Sequence, residues 1–139
     1  MSYTEEDYNR LTDLIISAAI EVHKELGPGL LESVYEVCLV SVLRAKNLSA
    51  KKQVTLPVFF KGEKLEKEFV IDILVEDTIV LELKSVETIL PIHEAQLVTY
   101  LKLSDKKLGL LINFNVPLIK TGIRRRINGN LNEKPLCSL

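Results

Sequence analysis

Residues Phe69–Ser85 read FVIDILVEDTIVLELKS. Two apolar, largely β-branched runs, Phe69–Val75 and Ile79–Leu83, flank the polar triplet Glu76-Asp77-Thr78. That pattern predicts an antiparallel hairpin with a short turn. Asp72, Glu82 and Lys84 stand inside it, where an ordinary core strand carries no charge. A buried, unpaired charge is costly, so such residues pair, hold a metal or do chemistry.

Parity decides whether the charges meet. Side chains alternate along a strand, so Val70, Asp72 and Leu74 share one face, and Val80, Glu82 and Lys84 share one on the next strand. A three-residue turn pairs Val75 with Ile79 and sets Asp72 across from Glu82, whereas a two-residue turn would oppose Asp72 to Leu81. The odd-length turn is the expected one, because it alone gathers Asp72, Glu82 and Lys84. Two carboxylates beside a lysine suit a hard cation such as Mg²⁺, which takes carboxylate and water oxygens and is completed by substrate phosphate. The lysine would then hold or activate an attacking water. The plainer alternative is a cross-strand ion pair on a wet sheet face.

Outward from this hairpin, the chain starts with Thr4-Glu5-Glu6-Asp7, a capping-box-like helix start. Leu11, Leu14, Ile15, Ala18, Ala19, Val22 and Leu26 mark the stripe of a first helix, which Gly27-Pro28-Gly29 stops. A second stripe runs through Leu31, Val34, Tyr35, Cys38, Leu39, Val42 and Leu43 to about Asn47. His23 closes the first helix as an edge residue, and Glu32 opens the second where an acid suits the helix dipole. Gln53–Phe60 predicts a first strand, with Lys61-Gly62-Glu63 turning into the second from about Leu65. Pro91 starts a helix running to about Leu103, apolar almost all round and so expected to pack on both sides. Its Gln96 and Tyr100 share one face. Leu108–Asn115 predicts a central strand, and Ile123–Ile127 a short last strand or helical turn. Lys120, Arg124, Arg125 and Arg126 form the one basic cluster, readable as a phosphate contact or a solvated surface run.

The chain has 139 residues, 47% hydrophobic and 27% charged, with net charge −1. It reads as one domain over 1–139, with a core of about 4–128 and a tail from 129 to 139. The charge balance excludes a strongly basic nucleic-acid binder, so phosphate contact must come from a local patch. Cys38 and Cys137 are far apart and read as a core thiol and a free thiol in a reducing cytoplasm. No signal peptide or membrane-spanning run is seen.

Three signatures stand in order: Gly29-Leu-Leu-Glu32-Ser-Val-Tyr35, then Asp72 with Glu82-Leu-Lys84, then Gln96-Leu-Val-Thr-Tyr100. The first resembles the motif of the GxxExxY protein family. The second and third resemble the D…ExK core of the PD-(D/E)xK nuclease superfamily and the QxxxY motif of its RecB-like members. Stretches such as EVHKELGPGLLESVYE and INFNVPLIKTGIRRRI belong to the same resemblance, which spans about Leu11 to Ile127. It implies an α/β (α+β) fold, a mixed four- to five-stranded sheet flanked by helices. It also implies Asp72, Glu82, the Leu83 carbonyl and Glu32 as metal ligands for Mg²⁺ or Mn²⁺, with Lys84 at the water. Gln96, Tyr100, Tyr35 and, by a loose match, His23 would line the site. The residue before Asp72 is Ile71 and not proline, a common relaxation. The iron–sulfur cysteines, helicase motor and separate DNA-binding domain of some relatives have no counterpart here. The implied activity is metal-dependent hydrolysis of nucleic acid, DNA before RNA; the near-neutral charge and small size favour a weak or partner-dependent enzyme, or a homodimer that doubles its basic surface. The alternative is a non-catalytic nucleic-acid-binding or protein-interaction module on the same fold.

Overall fold

The structure, a computed structural model, describes residues 3–132. Cys137 and most of the expected tail lie outside the described residues. Helices α1 (Glu5–Leu26) and α2 (Glu32–Ala45) are followed by strands β1 (Ala50–Phe60), β2 (Glu63–Val75) and β3 (Ile79–Lys84). Then come α3 (Pro91–Ser104), β4 (Leu108–Asn113), a 3₁₀ turn over Ile119–Gly122 and β5 (Ile123–Ile127). The sheet is mixed, ordered β1-β2-β3-β4-β5, with only β3 and β4 parallel. Parallel neighbours need a crossover, and α3 supplies it. This is the α+β architecture that the signatures imply.

Local chemistry explains the elements. Thr4 and Asp7 close a capping box at the start of α1, each side chain accepting from the other's backbone N–H. At the Gly27–Gly29 corner the Tyr35 hydroxyl donates to the Gly27 carbonyl at 2.5 Å and accepts from Leu30 N at 3.1 Å. The β2–β3 turn is the odd-length one: Val75 pairs with Ile79, Leu74 with Val80 and Ile73 with Leu81. Glu76 and Asp77 both take positive φ there, 53° and 51°, and Thr78 N returns to Val75 O at 2.9 Å.

The sheet separates two apolar layers. On one side α1 and α2 pack on Ile73, Val75, Ile79, Leu81, Leu83, Leu108, Leu110 and Ile112. On the other, Leu97, Tyr100 and Leu101 of α3 pack on Ile71, Leu74, Val80 and Leu111. Full burial of each aliphatic side chain contributes roughly 1.5–3 kcal/mol, so these layers hold the frame of the site.

Several boundaries and stripes differ from expectation. β1 starts at Ala50, before Gln53. Leu31, which precedes α2 as its N-cap, and Val34 on the helix face solvent, and Val40 is buried in their stead. Cys38 is half-buried and unpaired. Helix α3 does not pack on both sides: Ile92 is 67% exposed, and the helix buries only Leu97, Tyr100 and Leu101. The reason is position, because only one flank of α3 meets the sheet. β4 is buried along its whole length between β3 and β5, and Ile123–Ile127 is the strand alternative. No helix among the described residues is long and apolar enough to cross a membrane.

Candidate active site

The hairpin ladder stops at Ile73↔Leu81, and one step further the carboxylates take its place. Asp72 N donates to Glu82 Oε1 at 3.3 Å, and Leu83 N donates to Asp72 Oδ2 at 2.8 Å. Asp72 therefore lies across from Glu82, as the odd turn requires. The two carboxyls are close enough that the charge of Asp72 raises Glu82. Glu82 and Lys84 follow Val80 by the strand's alternation and so face the α3 side of the sheet.

Electrostatics make this a strained pair. Glu82 is 6% exposed, and loss of water, reinforced by the charge of Asp72, pushes its carboxyl up to about 9. Burial also raises Asp72, with Glu32 adding to it, while the Leu83 N–H and Lys84 pull it back. Lys84 thus sits close enough to act on both acids. Like charges in a drying site favour a shared proton or a bound cation.

Other expected residues gather here too. Gln96 Nε2 donates to the Tyr100 hydroxyl at 3.0 Å, and the Tyr100 ring tilts against Phe69 with centroids 5.4 Å apart. Burial and the charges of Glu82 and Asp72 raise the Tyr100 phenol, so it stays protonated at neutral pH. Glu32 reaches Asp72 electrostatically from the start of α2. It is not gathered into a cage: among the described residues no three acidic, histidine or cysteine side chains are close enough to hold a metal ion. Mg²⁺ fits a leaner site, because one or two carboxylates plus waters and substrate oxygens suffice, and the hard oxygens of Asp72 and Glu82 match that donor set.

Two residues expected to line the site stand on the opposite side of the sheet, in the α1–α2 layer. Tyr35 is fully buried, stacked on Phe114 with centroids 4.4 Å apart, and holds the glycine corner. His23, expected as an edge residue, is buried, with Nε2 2.8 Å from the Val116 carbonyl. The basic cluster is divided as well. Successive strand residues alternate faces, so Arg125 reaches Asn9 on α1 while Arg126 pairs with Glu94 on α3. Arg124 shares the Arg126 side, which is the side of Glu82 and Lys84, and its guanidinium bonds the Thr121 and Ile123 carbonyls. Lys120 is exposed on the preceding 3₁₀ turn.

Three residues were not singled out from the sequence. Glu36 lies one helical turn beyond Glu32, and Asp72 is among the groups that raise it, after burial. The i,i+4 spacing could have flagged it. Gln53 holds Glu36 at 2.8 Å. Asn113, 2% exposed, clamps the chain leaving Lys84. Its Oδ1 accepts from Val86 N at 3.0 Å and its Nδ2 donates to Val86 O at 2.9 Å. Asn113→Ala strands both Val86 groups, so chemical denaturation should register a loss of about 2–3 kcal/mol. A loss below about 0.5 kcal/mol would mean that water replaces the clamp.

A model of the PD-(D/E)XK nuclease superfamily matches residues 9–126 of the chain. No curated protein matches it. Among solved structures it is similar to SSO0001, at 25% identity over 69% of this chain, with a TM-score of 0.49. The match covers 48% of that protein, so this chain spans about half of its length.

Proposed function

The chain belongs to the PD-(D/E)XK nuclease superfamily, and on that premise we propose that it hydrolyses phosphodiester bonds in DNA, using Mg²⁺ or Mn²⁺ held at Asp72 and Glu82. The observation that carries the reading is the adjacency of Asp72 and Glu82 at the end of the β2–β3 ladder, with Lys84 acting on both. When bound there, the cation would supply Lewis-acid stabilisation of charge on a phosphoryl oxygen and a more acidic water.

The remaining work falls to the chain. Each carboxyl is fixed by a backbone N–H of the opposite strand, so the donor set is preorganised. The Leu83 carbonyl is a further oxygen donor of this set in our reading, and Glu32 contributes charge from α2. The Lys84 ammonium holds the attacking water by hydrogen bonding beside the carboxylates. Tyr100, kept as a phenol, donates to a phosphate oxygen, and Gln96 orients it. Incubating the protein with labelled single- and double-stranded DNA and RNA, in Mg²⁺, Mn²⁺ or EDTA, tests the reading. Metal-dependent cleavage of DNA is expected. Tight binding with no cleavage in either metal would point to a non-catalytic module.

Arg124 and Arg126 extend the same face, so they are assigned to backbone phosphates, a contact that is salt-sensitive and blind to sequence. Neutralising both to glutamine should weaken DNA binding and flatten the slope of log affinity against log salt by about 1–2. Arg125→Gln, on the opposite face, should leave that slope alone. Equal slopes in all three proteins would make the cluster a solvated surface.

A further inference from the structure

Among the described residues, Gln53 is the one strand residue that takes a left-handed backbone, with φ of 54°. Glutamine has no intrinsic liking for that region, and strain of this kind persists where the surroundings demand it. The β1–β2 ladder runs from Lys52↔Ile73 to Val54↔Ile71 and omits the step between, where Gln53 stands opposite Asp72. Asp72 is thus skipped by the ladder on this side and by the β2–β3 ladder on the other, where its N–H goes to Glu82. The side chain of the same Gln53 leaves the sheet and donates from Nε2 to Glu36 Oε2 at 2.8 Å. Glu36 and Glu32 lie one turn apart on α2, both within electrostatic range of Asp72.

From this geometry we infer that Gln53 is a positioning residue: its backbone opens the sheet at Asp72 while its amide docks the start of α2, with Glu32 and Glu36, against that opening. The inference rests on the nuclease reading for its catalytic consequence, but not for the docking itself. A strand residue with ordinary φ would pair with Asp72 and leave α2 without this tether. Without the tether, the α2 carboxylates would no longer be fixed relative to the site. An error of about 1 Å in such a group can cost up to about a hundredfold in rate.

Asparagine tolerates left-handed backbone better than glutamine but is one methylene shorter, so Gln53→Asn keeps the opening and removes the reach. This variant should melt no lower than the native chain. Amide exchange across residues 36–40 of α2 should nevertheless speed up by about five- to tenfold. The kcat for metal-dependent DNA cleavage should fall by about tenfold or more, with KM unchanged. Glu36→Ala should reproduce both effects, and the double variant should cost no more than either alone. Glu36→Gln, which keeps an acceptor for the amide, should restore native exchange. Unchanged exchange in Gln53→Asn, or additive losses in the double variant, would overturn the inference. If the native chain cleaves nothing while Gln53→Asn and Glu36→Ala still loosen α2 together, the docking stands and the nuclease reading fails instead.

Discussion

Glu82→Gln is expected to yield a protein that is more stable than the native chain without metal and inert as a nuclease. Glu82 is buried beside Asp72, and its carboxyl is pushed up to about 9 from an unfolded value near 4.5. The sign of the linkage follows from that direction. A carboxyl raised in the folded state binds more protons folded than unfolded between those two values. The fold is therefore most stable below the unfolded value and loses stability steadily as pH rises towards 9. At pH 7 the native chain carries a cost of about 2–4 kcal/mol for keeping this acid protonated, at 1.36 kcal/mol per pKa unit. Glutamine copies the protonated carboxyl in shape and lacks the cost. Melting temperatures of the native chain without metal should fall between pH 5 and pH 9, and those of Glu82→Gln should stay nearly level. Added Mn²⁺ should rescue the native chain at high pH, since a ligand that binds only the folded state stabilises it. Parallel pH profiles for the two proteins would remove Glu82 as the strained member of the pair.

Lys84→Ala and Asp72→Ala should both abolish turnover, yet they should part company in metal binding. Lys84 is assigned to the water and not to the cation, so its loss leaves the Asp72–Glu82 donor set intact. Removing a group that positions or activates the water should lower kcat by about 10²–10⁴-fold. Calorimetry should show Mn²⁺ binding to Lys84→Ala within a few-fold of native. Asp72→Ala removes one of two carboxylates and the anchor for Leu83 N, and Mn²⁺ binding should largely vanish. Stability should survive both changes, because both positions are only half-buried and Asp72→Ala relieves repulsion at Glu82. A plain ion pair would behave otherwise, with both substitutions destabilising and metal without effect.

The sequence exposes some of this site and conceals the rest for identifiable reasons. Strand alternation has period two, so counting Glu76, Asp77 and Thr78 sets the register that the structure keeps as far as Ile73↔Leu81, and beyond it Asp72 and Glu82 meet through side-chain bonds to backbone N–H groups. The Thr4–Asp7 cap is local and equally legible. The packing of α3 was not, because a helix rich in apolar residues does not say how many neighbours it will meet, and Ile92 projects into solvent. The basic run divides for a simpler reason: in a strand, Arg124 and Arg125 must point apart, and composition alone hides that. Tyr35 belongs to the glycine corner through contacts five and eight residues away, so its motif spacing indicated a role without indicating which one. Gln53 carries no local signature at all. Its left-handed backbone, opposite Asp72 where the ladder is interrupted, is displayed only by the folded chain.

The most direct measurement is single-turnover cleavage of labelled DNA by native, Lys84→Ala and Glu82→Gln proteins purified identically, with Mg²⁺, Mn²⁺ or EDTA. Cleavage by the native protein is expected in metal and none in EDTA, with both variants slowed by at least about a hundredfold although they fold and still bind DNA. Cleavage that persists undiminished in either variant, or that survives EDTA, would contradict it.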